Sequence, residues 1–196
     1  MPSLNPHNLY ELDLLSHVEE TPRLSNRQAA GKLGVSVKLA HELLKGLVSR
    51  GLLHVTVVHA RRWDYFLTPK GIAEKARLTL EFLDFSMHFY REARKRGAQV
   101  CRDLAEAGCH EVILLGAGDL AEIVYLGLQE WNLTLAAVFD NKAKTFMGRR
   151  VAPLDRFAES ARNAPVIVCL YDAKKPMGER FLPPGIQAGD HFHWIF

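Results

Sequence analysis

The chain is short of cysteine: Cys101, Cys109 and Cys169 are the only three, and no two form a CxxC pair. So odd and scattered a set excludes a disulfide framework and a regularly spaced zinc site. Reduced, partly buried thiols are expected, with a Cys101–Cys109 redox pair as the other option. There is no uncharged apolar run of about eighteen residues, so neither a membrane span nor a membrane partner is expected. The opening "MPSLNPHNLY" has no basic stretch followed by an apolar core. No signal peptide is therefore expected, and a cytoplasmic location follows. No nucleophile motif is present, and no catalytic residue is assigned. Acid is missing most unevenly. Residues 21–71 hold nine basic side chains against two acidic ones, Glu42 and Asp64, although the whole chain carries only +3. A basic excess of this kind near the front is the footprint of a polyanion-binding module.

What is present over residues 1–71 is helical, then extended. "NLYELDLLSHVEE" places Leu9, Leu12, Leu15 and Val18 on a helical stripe. Ser25 with Gln28 three residues later reads as a capping box, followed by Ala29, Ala30 and Leu33 as packing residues. Gly34 permits a tight turn, and Ser36 caps a second helix with Val37, Ala40, Leu44, Leu47 and Val48 on its buried face. Lys38, His41 and Lys45 then share another face, and Gly51 stops the helix. "LLHVTVV" and "RWDYFLT" alternate as a hairpin whose tip carries His59, Arg61 and Arg62. This order predicts an α+β winged helix-turn-helix that binds double-stranded DNA. Arg27, Ser36, Lys38, His41 and Lys45 would lie at the major groove, with Arg61 and Arg62 on the wing.

The segment "YFLTPKGIAEKARLTLEFL" resembles the wing-to-helix junction of MarR-type regulators, especially those associated with bacterial extracellular-polysaccharide gene clusters. The resemblance implies a dimeric transcription factor that reads DNA through Ser36–Arg50. Residues 72–97 then form a long helix with two apolar stripes. One is Ile72, Ala76, Leu83, Met87 and Tyr90; the other is Leu78, Phe82, Phe85 and Phe89. A helix apolar on two sides needs two covers. The winged domain supplies one, and either a second copy, giving a homodimer through 72–96, or the C-terminal domain supplies the other. "REARKRG" is expected to end this helix.

Residues 98–196 read as a small α/β domain with a short parallel sheet of four strands. "EVILL" precedes "GAGDLA", a G-x-G-x-x-A turn at Gly116, Gly118 and Ala121 that opens a helix containing Asp119 and Leu120. The first glycine allows the tight turn, the second lets a pyrophosphate approach, and the small third residue packs helix on strand. "LTLAAVFD" ends in Asp140, placed to accept ribose hydroxyls, with Asn141 beside it. "PLDRFAE" starts a helix, "APVIVCLYD" is a third strand that places Tyr171 at its ligand-facing end, "AKKPMGERF" is a weak helix and "DHFHWIF" a last strand. Gly116, Gly118, Leu120 and Phe139–Asp140 resemble the turn of the redox-sensing Rex repressors, although Ala121 stands where those have glycine. "LGAG" and "GRRVAPL" resemble the N-terminal domains of bacterial sugar O-acyltransferases. These resemblances imply a Rossmann-like fold that binds NAD(H) or a nucleotide sugar.

Tyr171 and Lys175 match Y-x-x-x-K, but a strand-end tyrosine does not suit that acid–base pair. His191 and His193 could share a strand face, yet lack an evident third metal ligand. The sequence thus predicts a non-enzymatic bacterial regulator whose DNA affinity responds to a nucleotide-containing ligand. The alternative is a small nucleotide-sugar-handling enzyme of polysaccharide biosynthesis with a winged helix used for assembly.

Overall fold

A computed structural model describes residues 5–21, 23–59, 62–157, 164–170, 182 and 191–196. The chain divides into two compact units, Met1–His88 and Phe89–Phe196.

In the first unit, α1 (Pro6–Glu20), α2 (Asn26–Leu33) and α3 (Val37–Ser49) precede the antiparallel hairpin β1 (Leu53–His59) and β2 (Arg62–Leu67). Local chemistry sets each boundary. Ser25 and Gln28 form both hydrogen bonds of the capping box. Gly34 closes α2 at φ 65°, and Ser36 Oγ accepts from Leu39 N at 3.2 Å to start α3. Gly51, at φ 71°, turns the chain into β1. The core gathers Leu14, Leu15, Val18, Leu24, Ala29, Ala40, Leu43, Leu44, Leu47 and Tyr65. Val37, expected inside, is 49% exposed, and Leu43 is buried instead. As the first residue after the Ser36 cap, Val37 precedes the turn on which Ala40, Leu43 and Leu44 make the buried face.

The LTPKG segment has a physical basis. Thr68 Oγ1 accepts from Gly71 N at 3.0 Å, capping α4 (Pro69–Glu106), and donates to the Gly51 carbonyl at 2.7 Å. Pro69 takes the first helical position, where a missing N–H costs nothing. A Cβ on Gly71 would lie 2.0 Å from the Leu52 carbonyl oxygen. Only glycine lets the helix start so close to the strand entry.

Helix α4 has 38 residues and does not end at the basic cluster. It runs through Arg91–Gly97 because the stretch expected as a new helix continues the same turns. Gly97 sits mid-helix within ordinary contact distance of Val124. Its missing side chain faces Val124, with 3.4 Å from an ideal Cβ to Val124 Cγ2. Gly127 meets Cys101 Sγ and Ala98 in the same way, so α4 and α5 (Asp119–Glu130) cross on small residues.

The second unit is built on a parallel four-stranded sheet of β3 (Glu111–Leu115), β4 (Thr134–Phe139), β7 (Val166–Val168) and β8 (Phe192–Trp194), in the order β4-β3-β7-β8. One face packs on α4 and α5 through Val112, Leu114, Val124, Leu128 and Cys101. The other gathers Ile113, Leu115, Phe139, Phe157 and Phe192. An unforeseen two-residue hairpin, β5 (Thr145–Phe146) and β6 (Arg149–Arg150), follows β4, and a single parallel bridge joins Ala152 to Phe139. The expected PLDRFAE helix begins as a 3₁₀ turn at Leu154–Arg156, and the segment expected as a weak helix after β7 lies outside the described residues.

Gly71→Ala should lower stability by about 3 kcal/mol or more, because backbone rather than a side chain must give way. A thermal melt of the purified variant checks this, and a melting temperature equal to the wild type's would contradict the packing described.

Candidate nucleic-acid interface and glycine turn

Of the nine basic side chains in 21–71, four are tied to the fold. Arg50 Nη2 bonds the buried Glu11 at 2.6 Å, and Lys70 Nζ donates to the Arg50 carbonyl at 2.9 Å. Lys32 Nζ reaches His17 Nδ1 at 3.3 Å, and Arg23 lies 3.9 Å from Asp64. Arg27, Lys38 and Lys45 remain, exposed and without a hydrogen bond or ion pair among the described residues. All three stand on α2 and α3. Lys38, His41 and Lys45 share one face of α3 at spacings of three and four.

His41 is held in place. The Asn26 side-chain amide lies 3.1 Å from His41 Nδ1. Ser36, expected as a DNA contact, is exposed; its Oγ accepts the capping bond of α3 and its O–H can still donate. The exposed outer face of α3 also carries Glu42, Val37 and Leu39. Together these supply donors, an acceptor and apolar groups, the variety needed to read base edges in a major groove. Spacing alone reads Val37 as core and assigns Leu39 to neither face. Arg61 lies outside the described residues, and of Arg62 only the backbone at the start of β2 is described.

In the second unit, the loop after β3 begins at Gly116, at φ 109°. A Cβ there would lie 2.9 Å from the Cys169 carbonyl carbon and 3.0 Å from Leu170 N, so the turn passes tightly over the end of β7. Gly118 is the N-cap of α5, with no side-chain capping bond, and an added Cβ would meet nothing within 4 Å. The first turn of α5 thus has no side-chain cap at Gly118. Leu120 and Ala121 are buried, so the third motif position packs helix on sheet. Asp119 and Glu122 place two carboxylates in the first turn.

Asp140 is committed to the backbone. Its Oδ2 accepts from Ala117 N at 2.9 Å, and its Oδ1 accepts from Lys142 N at 2.6 Å and Ala143 N at 3.4 Å. Burial pushes this carboxyl up. The backbone donors of Lys142, Ala117 and Ala143, with the Lys142 charge, outweigh it and hold the group below its ordinary value. A carboxylate offers about four acceptor positions, so three bonds leave room for about one hydroxyl rather than an uncontested ribose diol. Asn141 Oδ1 accepts from Leu154 N at 3.1 Å, a structural bond. Asp140 thus ties the loop after β3 to the loop after β4. Tyr171 and Lys175 lie outside the described residues.

Two other candidates lose force. Burial raises the Cys101 thiol to about 12, with Arg94 opposing and Glu130 adding to the shift, so it is protonated and unreactive near neutral pH. Cys169 is raised as well, chiefly by burial. Burial, and then His191, lowers the His193 imidazole, with Asp103 opposing. No group of three metal-ligating side chains occurs among the described residues. No described helix is long and apolar enough to cross a membrane.

No curated protein sequence matches this chain. Among solved structures, it is similar to MepR, a transcription regulator of the Staphylococcus aureus multidrug efflux pump MepA. Identity is 21%, coverage 44% of this chain and 64% of that one, and the TM-score 0.37. The chain thus spans less than two thirds of that regulator's length. The PcaV transcriptional regulator of Streptomyces coelicolor, crystallised with its natural ligand, is 23% identical over 45% of this chain and 61% of its own, with a TM-score of 0.37. The O-methyltransferase NcsB1 of neocarzinostatin biosynthesis is 17% identical over 83% of this chain and 65% of its own, with a TM-score of 0.31. Residues 8–53 match the winged helix-turn-helix DNA-binding family, a span that covers the helix-turn-helix of α2 and α3 and most of α1.

Proposed function

We propose that the chain is a DNA-binding transcriptional regulator of MarR-like type whose second unit is a Rossmann-like sensor of a nucleotide-containing ligand. The observation that carries the first half is the set of exposed, unpartnered cations Arg27, Lys38 and Lys45 on a helix-turn-helix that matches a DNA-binding family. Cations without protein partners keep their full charge for phosphates, whose displaced counterions supply the affinity.

The sensor reading rests on the open N-terminus of α5 above Gly118 and on topology. The bridge at Ala152 supplies the rudiment of a further strand beside β4. Counting it, the order Ala152-β4-β3-β7-β8 follows the 3-2-1-4-5 pattern of dinucleotide folds, with the chain reversing direction at β3 and β7 where such ligands sit. NAD(H) and a nucleotide sugar both present a diphosphate diester. Asp119 and Glu122 disfavour the greater charge of a nucleoside triphosphate, and Asp140 disfavours a phosphorylated ribose. Helix α4 contributes residues to both units and is the element through which a ligand preference would reach α3.

A homodimer through α4 belongs to the same reading. Leu80, Leu83 and Met87 are all 45% exposed or more and follow a three-four spacing, the pattern of a helix seam that a second copy covers. This favours the second copy over the alternative cover.

Replacing Lys38 and Lys45 together by Glu should abolish duplex binding at low salt with an unchanged melting temperature. Retained binding, measured by fluorescence anisotropy, would refute the interface. Gly118→Ala should fold normally, whereas Gly118→Asp should fold but lose any nucleotide-dependent change in DNA affinity; loss of basal binding instead would assign the turn a structural role. Leu83→Glu combined with Met87→Glu should convert a dimer to a monomer by light scattering, and a monomeric wild type would end the dimer proposal.

A further inference from the structure

The hairpin has an inner face of three cross-strand pairs, Leu53–Leu67, Val55–Tyr65 and Val57–Trp63. The pair nearest the helices packs inward, but Val57 and Trp63 are 63% and 48% exposed. A half-exposed tryptophan opposite an exposed valine leaves considerable apolar area in water.

Trp63 lies in an open groove of about 710 Å³ between β2 and the N-terminal ends of α2 and α3, lined by Arg23, Arg27, Val37, His41 and Tyr65 among others. A second compartment of about 290 Å³ adds Lys45 and Val48, and shares His41, Trp63 and Tyr65 with the first. The two adjoin along His41, Trp63 and Tyr65, so Trp63 stands on the shared wall of a two-part channel. Its rim is cationic at Arg27 and Lys45, and the His41 imidazole adds a polar ring. The acid that lines it, Asp64, faces Arg23 at 3.9 Å, which offsets its charge.

An apolar wall between positive rims fits a polymer that alternates an apolar face with a phosphate. We propose that this channel seats the sugar–phosphate backbone of one strand of duplex DNA, with Trp63 packed on a deoxyribose between phosphates held at Arg27 and Lys45. The inference rests on the DNA-binding reading and adds a non-ionic contact from the body of the wing, separate from its tip and from α3. Trp63 sets the position of the strand against α3, and so the register in which α3 meets base edges.

The test compares wild type, Trp63→Ala, Trp63→Phe and Lys45→Ala on a mixed-sequence duplex long enough for two half-sites, with affinity measured across a salt series. Lys45→Ala should lower the slope of log affinity against log salt by about one, because one phosphate contact is lost. Trp63→Ala should weaken binding about tenfold with the slope unchanged, since burying half a tryptophan releases no ions. Trp63→Phe should keep most of the affinity and lose the change in tryptophan fluorescence that the duplex produces in the wild type. Hydroxyl-radical cleavage should show protected deoxyriboses that become exposed in Trp63→Ala. Trp63→Ala binding and protecting as the wild type does, or a duplex that leaves wild-type fluorescence unchanged, would overturn the proposal while the DNA-binding reading stands. A wild type that binds no duplex at low salt would overturn both.

Discussion

A single helix supplies buried residues to the core of each unit. Leu78 of α4 is buried with the helix-turn-helix core, and Ala93, Cys101 and Leu104 of the same helix are buried under the parallel sheet. The start of α4 is fixed by the Thr68 cap and by the Gly71 backbone against the Leu52 carbonyl, and its later turns by the Gly97–Val124 and Gly127–Cys101 approaches. Glycines in a helix cost about 1 kcal/mol each, so a chain that keeps two at one crossing gains more from close packing than it loses in propensity. The same helix keeps Leu80, Leu83 and Met87 in solvent, which is why a second copy enters the functional account.

Charge is divided between structure and function. The basic excess of residues 21–71 looks uniform in composition, but partners separate it. Arg23, Lys32, Arg50 and Lys70 close the unit on itself, and Arg27, Lys38 and Lys45 face outward. The carboxylate Asp140 follows the same logic in the second unit, where three backbone donors make it a loop strap before it can serve a ligand.

Much of this was legible in the sequence where the chemistry is local. The Ser25–Gln28 capping box, the left-handed glycines at 34 and 51 and the Ser36 cap each need only a few neighbouring residues, and all stand as read. The parallel strands were legible as apolar runs, and Gly116 as a turn that only glycine can make. Contacts distant in sequence were not. Gly97 and the basic run before it looked like a helix end, because Val124 beside Gly97 and Glu130 paired with Arg94 lie far along the chain. Val37 looked buried because its spacing matched the stripe, although the cap places it at the surface. Trp63 carried the signal of a strand residue, and only the fading cover along the hairpin marks it as a contact. The commitment of Asp140 to Ala117 was likewise invisible, since an acid ending a second strand reads as a ribose acceptor.

The central claim is that the second unit binds a nucleotide and thereby governs the first. The most direct measurement titrates the purified chain with NADH, follows its fluorescence, competes with NAD and with a uridine-diphosphate sugar, and repeats duplex binding at saturation. The account predicts micromolar binding of a diphosphate diester together with a several-fold change in DNA affinity; competition then decides between a dinucleotide and a sugar nucleotide. Duplex binding that no nucleotide alters, with no nucleotide bound by the chain, would contradict it.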